Sequence, residues 1–326
     1  MTRALRVTEH GDGSVLAVQD VEVAAPAADQ VQVKVAAIGV NFIDVYKRQG
    51  VYPGQTPFVL GEEAAGEVVA VGADVTDLAV GDRVAWGQSA GSAAELVNVP
   101  ARVVVPVPDG LGLDIAAAAM LQGMTAHYLV ESTFPVQKGQ VALVHAAAGG
   151  VGQLLVQMIT AKGADVIATA GGEAKLQIAR DLGATHTIDY REVTGEALSD
   201  EVRRLAGRGV DVVYDGVGKA TFDASLASLR PRGMMVLFGG ASGQVPPFDL
   251  QRLNTGGSLF VTRPTLGSYL LDRDELLWRA GDVLGGLAEG KLHLEIGGRF
   301  ALERAAEAYQ ALEGRETTGK LLLTID

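Results

Sequence analysis

The sequence predicts an α/β protein in which a doubly wound parallel sheet is inserted into an irregular, mostly antiparallel β-domain. Three observations carry this. Residues 141–152 read Val-Ala-Leu-Val-His-Ala-Ala-Ala-Gly-Gly-Val-Gly, an apolar strand running into a small-residue loop. Strand-like and helix-like segments then alternate as far as residue 262. On both sides of that stretch the texture changes to Val-rich segments broken by Gly, Pro and Asp.

Taken in order, Met-Thr-Arg-Ala-Leu-Arg-Val at the start reads as a strand and not as a signal peptide. Val31–Ile38, Gly66–Val71, Arg83–Trp86, Glu95–Val99 and Val103–Pro106 read as further strands of the β-domain. Val141 to His145 suits a strand buried on both faces of a parallel sheet. Ala147, Gly149 and Gly152 fill the three small-residue positions of the dinucleotide fingerprint, with Ala in the first place. Gly149 admits the close approach of a diphosphate, and Gly152 lets the next helix pack on the strand. That helix, Val151 to about Lys162, carries Leu154, Leu155, Met158 and Ile159 at helical spacing. Its N-terminal N–H groups and dipole favour an anion, which makes Gly149, Gly150 and Val151 candidate phosphate contacts.

Asp165–Ala170 is strand-like and Glu173–Leu182 helical, closed by Gly183. Thr187–Tyr190 is a strand, and Ser199–Ala206 a helix before a Gly-Arg-Gly turn. Val210–Tyr214 is a strand, and Thr221–Leu229 a helix ending before Pro231. Met234–Phe238 and Ser258–Thr262 bring the total from 141 to 262 to six strands, as a complete doubly wound domain requires. Fold alone does not dictate nucleotide binding, but glycine turns at Gly149, Gly171 and Gly239 favour it. A helix at Arg273–Leu287, a strand at Ile296–Phe300, a helix at Leu302–Leu312 and a strand at Lys320–Ile325 return to the first domain. The expected division is 1–122 plus 270–326 against 123–269, with the cleft between the two as the default site.

Composition narrows the function. A length of 326 residues accommodates two domains, and 48% hydrophobic residues contain no apolar run long enough to span a membrane. A formal charge of −12 argues against general binding to nucleic acid or anionic membrane. The absence of cysteine removes thiolate ligands, a cysteine nucleophile and disulfides, and fits a cytoplasmic protein. Among His10, His127, His145, His186 and His293 no metal-ligand spacing occurs.

The order of segments resembles the medium-chain dehydrogenase/reductase superfamily, and within it the zinc-free quinone oxidoreductases related to zeta-crystallin. The resemblance is carried by Asn41-Phe42-Ile43-Asp44-Val45-Tyr46, Gly61-Glu62-Glu63-Ala64-Ala65-Gly66, Gln122-Gly123-Met124-Thr125-Ala126, the 147–152 loop, Asp189-Tyr190-Arg191, Arg230-Pro231-Arg232-Gly233 and Thr262-Arg263-Pro264. It spans the whole chain and implies that the outer domain is GroES-like and the inserted one a Rossmann NADP-binding domain. Zinc-bearing members carry a cysteine at or near the position of Asn41, and Gly-His-Glu where this chain has Gly61-Glu62-Glu63. Without those ligands, a zinc-polarised alcohol dehydrogenase is excluded. Glu62 and Glu63 are carboxylates that could hold a hard cation, but they read first as helix-start or core-edge carboxylates.

The resemblance places Ala170 where NAD-preferring relatives carry an acid, and Lys175 where a cation meets a 2′-phosphate. Tyr190 matches the tyrosine lining the adenosine, beside Gly171 and Gly172. NADP(H) is the expected cofactor; Glu173, if turned toward the ribose, would favour NAD instead. The resemblance further implies Phe238, Gly239 and Arg263 near the nicotinamide, and Met124 and Thr125 opening the helix under the cofactor. It brings Asn41 and Tyr46 in from the other domain, and Arg315 with Thr318 to Lys320 close to the phosphates, a segment that departs from the subgroup pattern.

A quinone is already an electron acceptor, so hydride delivery needs ring contact, exclusion of water and hydrogen-bond donors to the developing oxyanion. Tyr46, Asn41 and Tyr52 are candidate donors, Arg263 is placed to offset negative charge, and Asp44 has either a structural or a functional role. An NADPH-dependent reductase of enones or enals (2-alkenals) fits nearly as well, and a non-catalytic NADPH-binding role is a third reading. Gly87-Gln88-Ser89-Ala90-Gly91 matches a hydrolase elbow, but Ser89 precedes a β-domain strand and not a helix. Ser258–Thr262 would form an exposed sheet edge in a monomer, which, with the resemblance, predicts a homodimer.

Overall fold

The computed structural model describes residues 1–314 and 317–325. The chain forms two compact units, Met1–Met124 with 270 onward, and Thr125–Tyr269.

The first unit begins with β1 (Thr2–Val7), β2 (Leu16–Val21), β3 (Gln30–Gly39), α1 (Phe42–Arg48), β4 (Phe58–Val59), β5 (Ala64–Val71), β6 (Arg83–Trp86), β7 (Leu96–Pro100), β8 (Val104–Pro106) and α2 (Leu113–Tyr128). The second unit follows with β9 (Val141–Val144), α3 (Gly150–Ala161), β10 (Asp165–Ala170), α4 (Glu173–Asp181), β11 (His186–Asp189), α5 (Gly195–Ala206), β12 (Val210–Asp215), α6 (Phe222–Ser228), β13 (Leu229–Leu237), α7 (Gln251–Thr255) and β14 (Phe260–Thr262). The chain then returns through α8 (Arg273–Ala288), β15 (Ile296–Ala301), α9 (Ala305–Glu313) and β16 (Lys320–Thr324).

In the first unit the larger sheet runs β15-β16-β3-β5-β6-β8, with β7 also paired to β3. β3 alternates as a strand with one buried face must: Val31, Val33 and Val35 point inward, while Gln32 and Lys34 do not. They pack with Val68, Val84, Trp86, Tyr309, Leu321 and Leu323 into one core. β16 pairs antiparallel with the end of β3, Leu323 opposite Ile38. The C-terminal segment therefore completes the sheet begun by the N-terminal one.

In the second unit the sheet order is β11-β10-β9-β12-β13-β14, every neighbour parallel. Counted from β9 this is the 3-2-1-4-5-6 arrangement of a dinucleotide-binding fold, whose ligands lie beyond the carboxyl ends of the strands. Leu143, Ile167, Val213 and Met235 fill its interior.

One local expectation is corrected. Met124 and Thr125 do not open a helix; they lie near the end of α2, which starts at Leu113. Its Ala-rich first half is a strong helix former. Gly123 lies inside the continuous helix, at a point where a side chain would collide with Val283 of α8. The glycine serves close helix packing.

Candidate functional site

Strand β9 ends at Val144, and the chain turns through His145 and Ala146, whose φ is 51°, into α3. The Ala147 N–H donates to the Thr169 carbonyl at 3.0 Å, fixing the loop to β10. A Cβ at Gly152 would fall on the Ala146 carbonyl oxygen and 2.7 Å from the Ala147 Cα. Loop and helix thus meet backbone to backbone. Gly149 caps α3 in an extended conformation (φ −81°, ψ 169°). The first-turn N–H groups, from Gly150 and Val151 onward, have no carbonyl one turn earlier within the helix. This is a fit for a diphosphate.

At the end of β10, Gly171 lies under Tyr190: a Cβ there would sit 2.6 Å from the tyrosine hydroxyl oxygen. Gly172, at φ 90°, donates its N–H to Asp189 Oδ2 at 2.9 Å. Asp189 is also bound by the Arg191 guanidinium at 3.1 Å, and this hydrogen bond foremost holds its carboxyl below the usual range. Gly171, Gly172 and Tyr190 are therefore brought together, with Lys175 half-buried in the first turn of α4. Glu173 is exposed and its carboxylate is taken by Arg180 on the same helix. Arg191, which the sequence offers only as part of the Asp189-Tyr190-Arg191 motif, adds a second cation to this corner, held there by its pairing with Asp189 two residues earlier.

Phe238 and Gly239 follow β13. A Cβ on Gly216 would stand 2.9 Å from the Phe238 ring, and one on Gly239 would stand 2.8 Å from the Gly216 Cα. The loops after β12 and β13 therefore interlock. Arg263 is exposed, just after β14.

In the first unit, Asn41 starts α1, where Asp44 Oδ2 accepts its N–H at 2.9 Å and the Tyr309 hydroxyl at 3.0 Å. Burial, then the charge of Glu62, raises the Asp44 carboxyl to about 7. Tyr46 and Tyr52 lie with ring centroids 6.2 Å apart, Tyr52 being 43% exposed. The Asn41 amide is enclosed: its hydrogens go to the Gly39 carbonyl at 3.3 Å and Glu63 Oε1 at 2.7 Å. Its oxygen accepts from Lys320 Nζ at 2.7 Å. Both donors are spent inside the protein, so the Asn41 amide has no hydrogen left to donate to a substrate oxygen.

Lys320 is corrected in the same way. Its ammonium is wholly buried and paired with Glu63, so it supports Asn41 and does not face a phosphate. Glu62 pairs with Lys47. The carboxylates at the resembled metal position are thus each neutralised by a lysine of the chain, a donor set that does not fit a metal ion. Among the described residues, no group of three or more His, Cys, Asp or Glu is placed to hold one. Arg315 lies outside the described residues.

A doubly wound dinucleotide domain inserted into a β-domain defines the class. Residues 27–109 match the family model for the alcohol dehydrogenase GroES-like domain, and 150–275 that for zinc-binding dehydrogenases. A quinone oxidoreductase of Pseudomonas aeruginosa is 42% identical over 99% of both chains. A 2-haloacrylate reductase of a Burkholderia species is 41% identical over 94% of this chain and 93% of its own. The Escherichia coli quinone oxidoreductase, solved with NADPH, superposes with a TM-score of 0.95 at 38% identity, covering 99% of this chain and 100% of its own. The chain belongs to the quinone oxidoreductase family of the medium-chain dehydrogenases/reductases, and is an oxidoreductase. No helix among the described residues is long and apolar enough to cross a membrane.

Proposed function

We propose that this protein binds NADPH in its second unit and reduces quinones without a metal, as a cytoplasmic homodimer. The observation that carries the reading is the α3 entrance: the Ala146–Gly152 backbone contact beside the Gly171, Gly172, Tyr190 and Lys175 corner. It is supported by full-length similarity to a quinone oxidoreductase solved with NADPH. When bound, the cofactor supplies the hydride. The chain's part is to hold the diphosphate at α3, meet a 2′-phosphate with Lys175, and donate hydrogen bonds from Tyr46 and Tyr52 to the reduced carbonyl oxygen. Arg263 offsets negative charge at that oxygen. The lysine-neutralised Glu62 and Glu63 support the metal-free form, and Phe260, 55% exposed on the short edge strand β14, supports pairing across that edge.

The 41% identical 2-haloacrylate reductase favours a second reading, NADPH-dependent reduction of a conjugated enone or enal. Steady-state turnover of a quinone panel and an enone panel, each with NADPH and NADH, separates the two. Quinone turnover with NADPH at least about tenfold more efficient than any enone supports the first reading. The reverse order establishes the second, and no turnover of either class refutes both.

A further inference from the structure

His145, Thr169, Ser225 and Asp215 are all buried beneath the carboxyl edge of the parallel sheet. Thr169 Oγ1 lies 2.9 Å from His145 Nδ1, and Ser225 Oγ lies 2.9 Å from His145 Nε2. The Ser225 hydroxyl donates to Asp215 Oδ2 at 2.8 Å and the Thr221 hydroxyl donates to the same oxygen at 2.7 Å. Asp215 Oδ1 accepts the Val217 and Gly218 N–H groups at 2.8 and 2.9 Å.

Donor counting gives these contacts a direction. A carboxylate only accepts, so the single Ser225 proton points to Asp215, and Ser225 can only accept from the ring. The proton of His145 must then sit on Nε2. Nδ1 accepts the Thr169 hydroxyl. Burial holds the ring neutral, which leaves one proton for this purpose.

Each end of the chain touches a loop at the sheet's carboxyl edge. Thr169 precedes Gly171 and holds Ala147 through its carbonyl, while His145 itself leads into the 146–150 loop. Asp215 folds the 216–218 loop onto its carboxylate, and its carbonyl accepts the Phe238 N–H at 2.9 Å.

We infer that His145 is a positioning residue: through the directed chain Thr169→His145→Ser225→Asp215 it locks the loops after β9, β10 and β12 into one dinucleotide-binding floor. The inference rests on the proposed cofactor. Histidine-selective ¹⁵N NMR of the full chain at neutral pH tests the chain itself. A neutral ring with its proton on Nε2 is expected; an imidazolium or an Nδ1–H tautomer overturns the inference.

NADPH titration followed by fluorescence tests the consequence. Ser225→Ala is expected to raise the Kd at least about fivefold. Ser228→Ala is the control, being buried on the same helix with its hydroxyl donating to the Ala224 carbonyl of that helix, and stays within about twofold. A smaller effect of Ser225→Ala, or an equal effect of the control, overturns the inference. If Ser225→Ala does not fold, Thr169→Val cuts the other end under the same criterion. Failure of the unaltered chain to bind NADPH would instead refute the functional reading, with the tautomer measurement still deciding the chain.

Discussion

Lys320 and Glu63 form an ion pair in which both side chains are 0% exposed, joining the last strand to the start of β5. Glu63 also accepts the Leu121 N–H at 2.6 Å, so the pair ties three segments to Asn41. Breaking such a pair strands a buried charge, at a cost of about 3–5 kcal/mol. Lys320→Met is therefore expected to lower the unfolding free energy by about that amount in urea titrations. Adding Glu63→Gln removes the stranded charge, so the double variant should be more stable than Lys320→Met alone. Simple additivity would show that the two charges do not depend on each other.

Asp44 makes stability depend on pH. Its folded value, about 7 against an ordinary 3.8, is raised by burial first and the Glu62 charge second. A raised value means the folded state holds the proton more tightly, so the contribution is complete below the unfolded value and is lost as pH rises through 7. Each pH unit between the two values is worth about 1.4 kcal/mol. From pH 5 to pH 8 the protein should lose about 3 kcal/mol relative to Asp44→Asn, whose side chain does not titrate. Parallel stability profiles for the two proteins would contradict this.

The second unit was legible because its signals are local. An apolar run of four to six residues, a glycine and a helical stripe repeat from β9 to β14, and each can be read without knowing its partners. The first unit was less so. α1 is seven residues long, too short for a periodic stripe, and was missed, as was the five-residue α7 of the second unit. The roles of Asn41 and Lys320 depend on a contact across 279 positions, which exists only because β16 pairs with β3. His145 was visible as a histidine without ligand spacing, but its partners lie 24 and 80 residues away.

Gly152→Ala places a methyl group on the Ala146 carbonyl and 2.7 Å from the Ala147 Cα, where only backbone can yield. Overpacking of this kind costs about 1–3 kcal/mol. The variant should unfold earlier in urea and bind NADPH more weakly, since the displaced loop is the proposed diphosphate contact. An unchanged Kd would remove the loop from the binding site.

Phe260 is 55% exposed on β14, the outermost strand of its sheet. If two copies pair along this edge, Phe260→Lys puts like charges near the two-fold axis and leaves a polar edge that resists association. Light scattering should give a dimer mass for the parent chain and a monomer mass for the variant. A parent chain that is already monomeric refutes the pairing.

The proposed NADPH preference rests on Lys175 and Glu173. Glu173 is paired with Arg180 on its own helix, and Asp189 with Arg191, so each acid of this corner is turned to an arginine. Lys175 stands half-buried one turn from Gly172, at the corner shared with Tyr190. A charge-assisted hydrogen bond to a 2′-phosphate contributes about 1.5–3 kcal/mol, or roughly 10- to 150-fold in affinity. Lys175→Glu should weaken NADPH by at least that factor, through loss of the cation and repulsion by the new carboxylate. NADH lacks the phosphate, so its Kd should move by less than about threefold under the same substitution. Equal losses for both cofactors, measured by fluorescence titration, would show that Lys175 does not meet the 2′-phosphate.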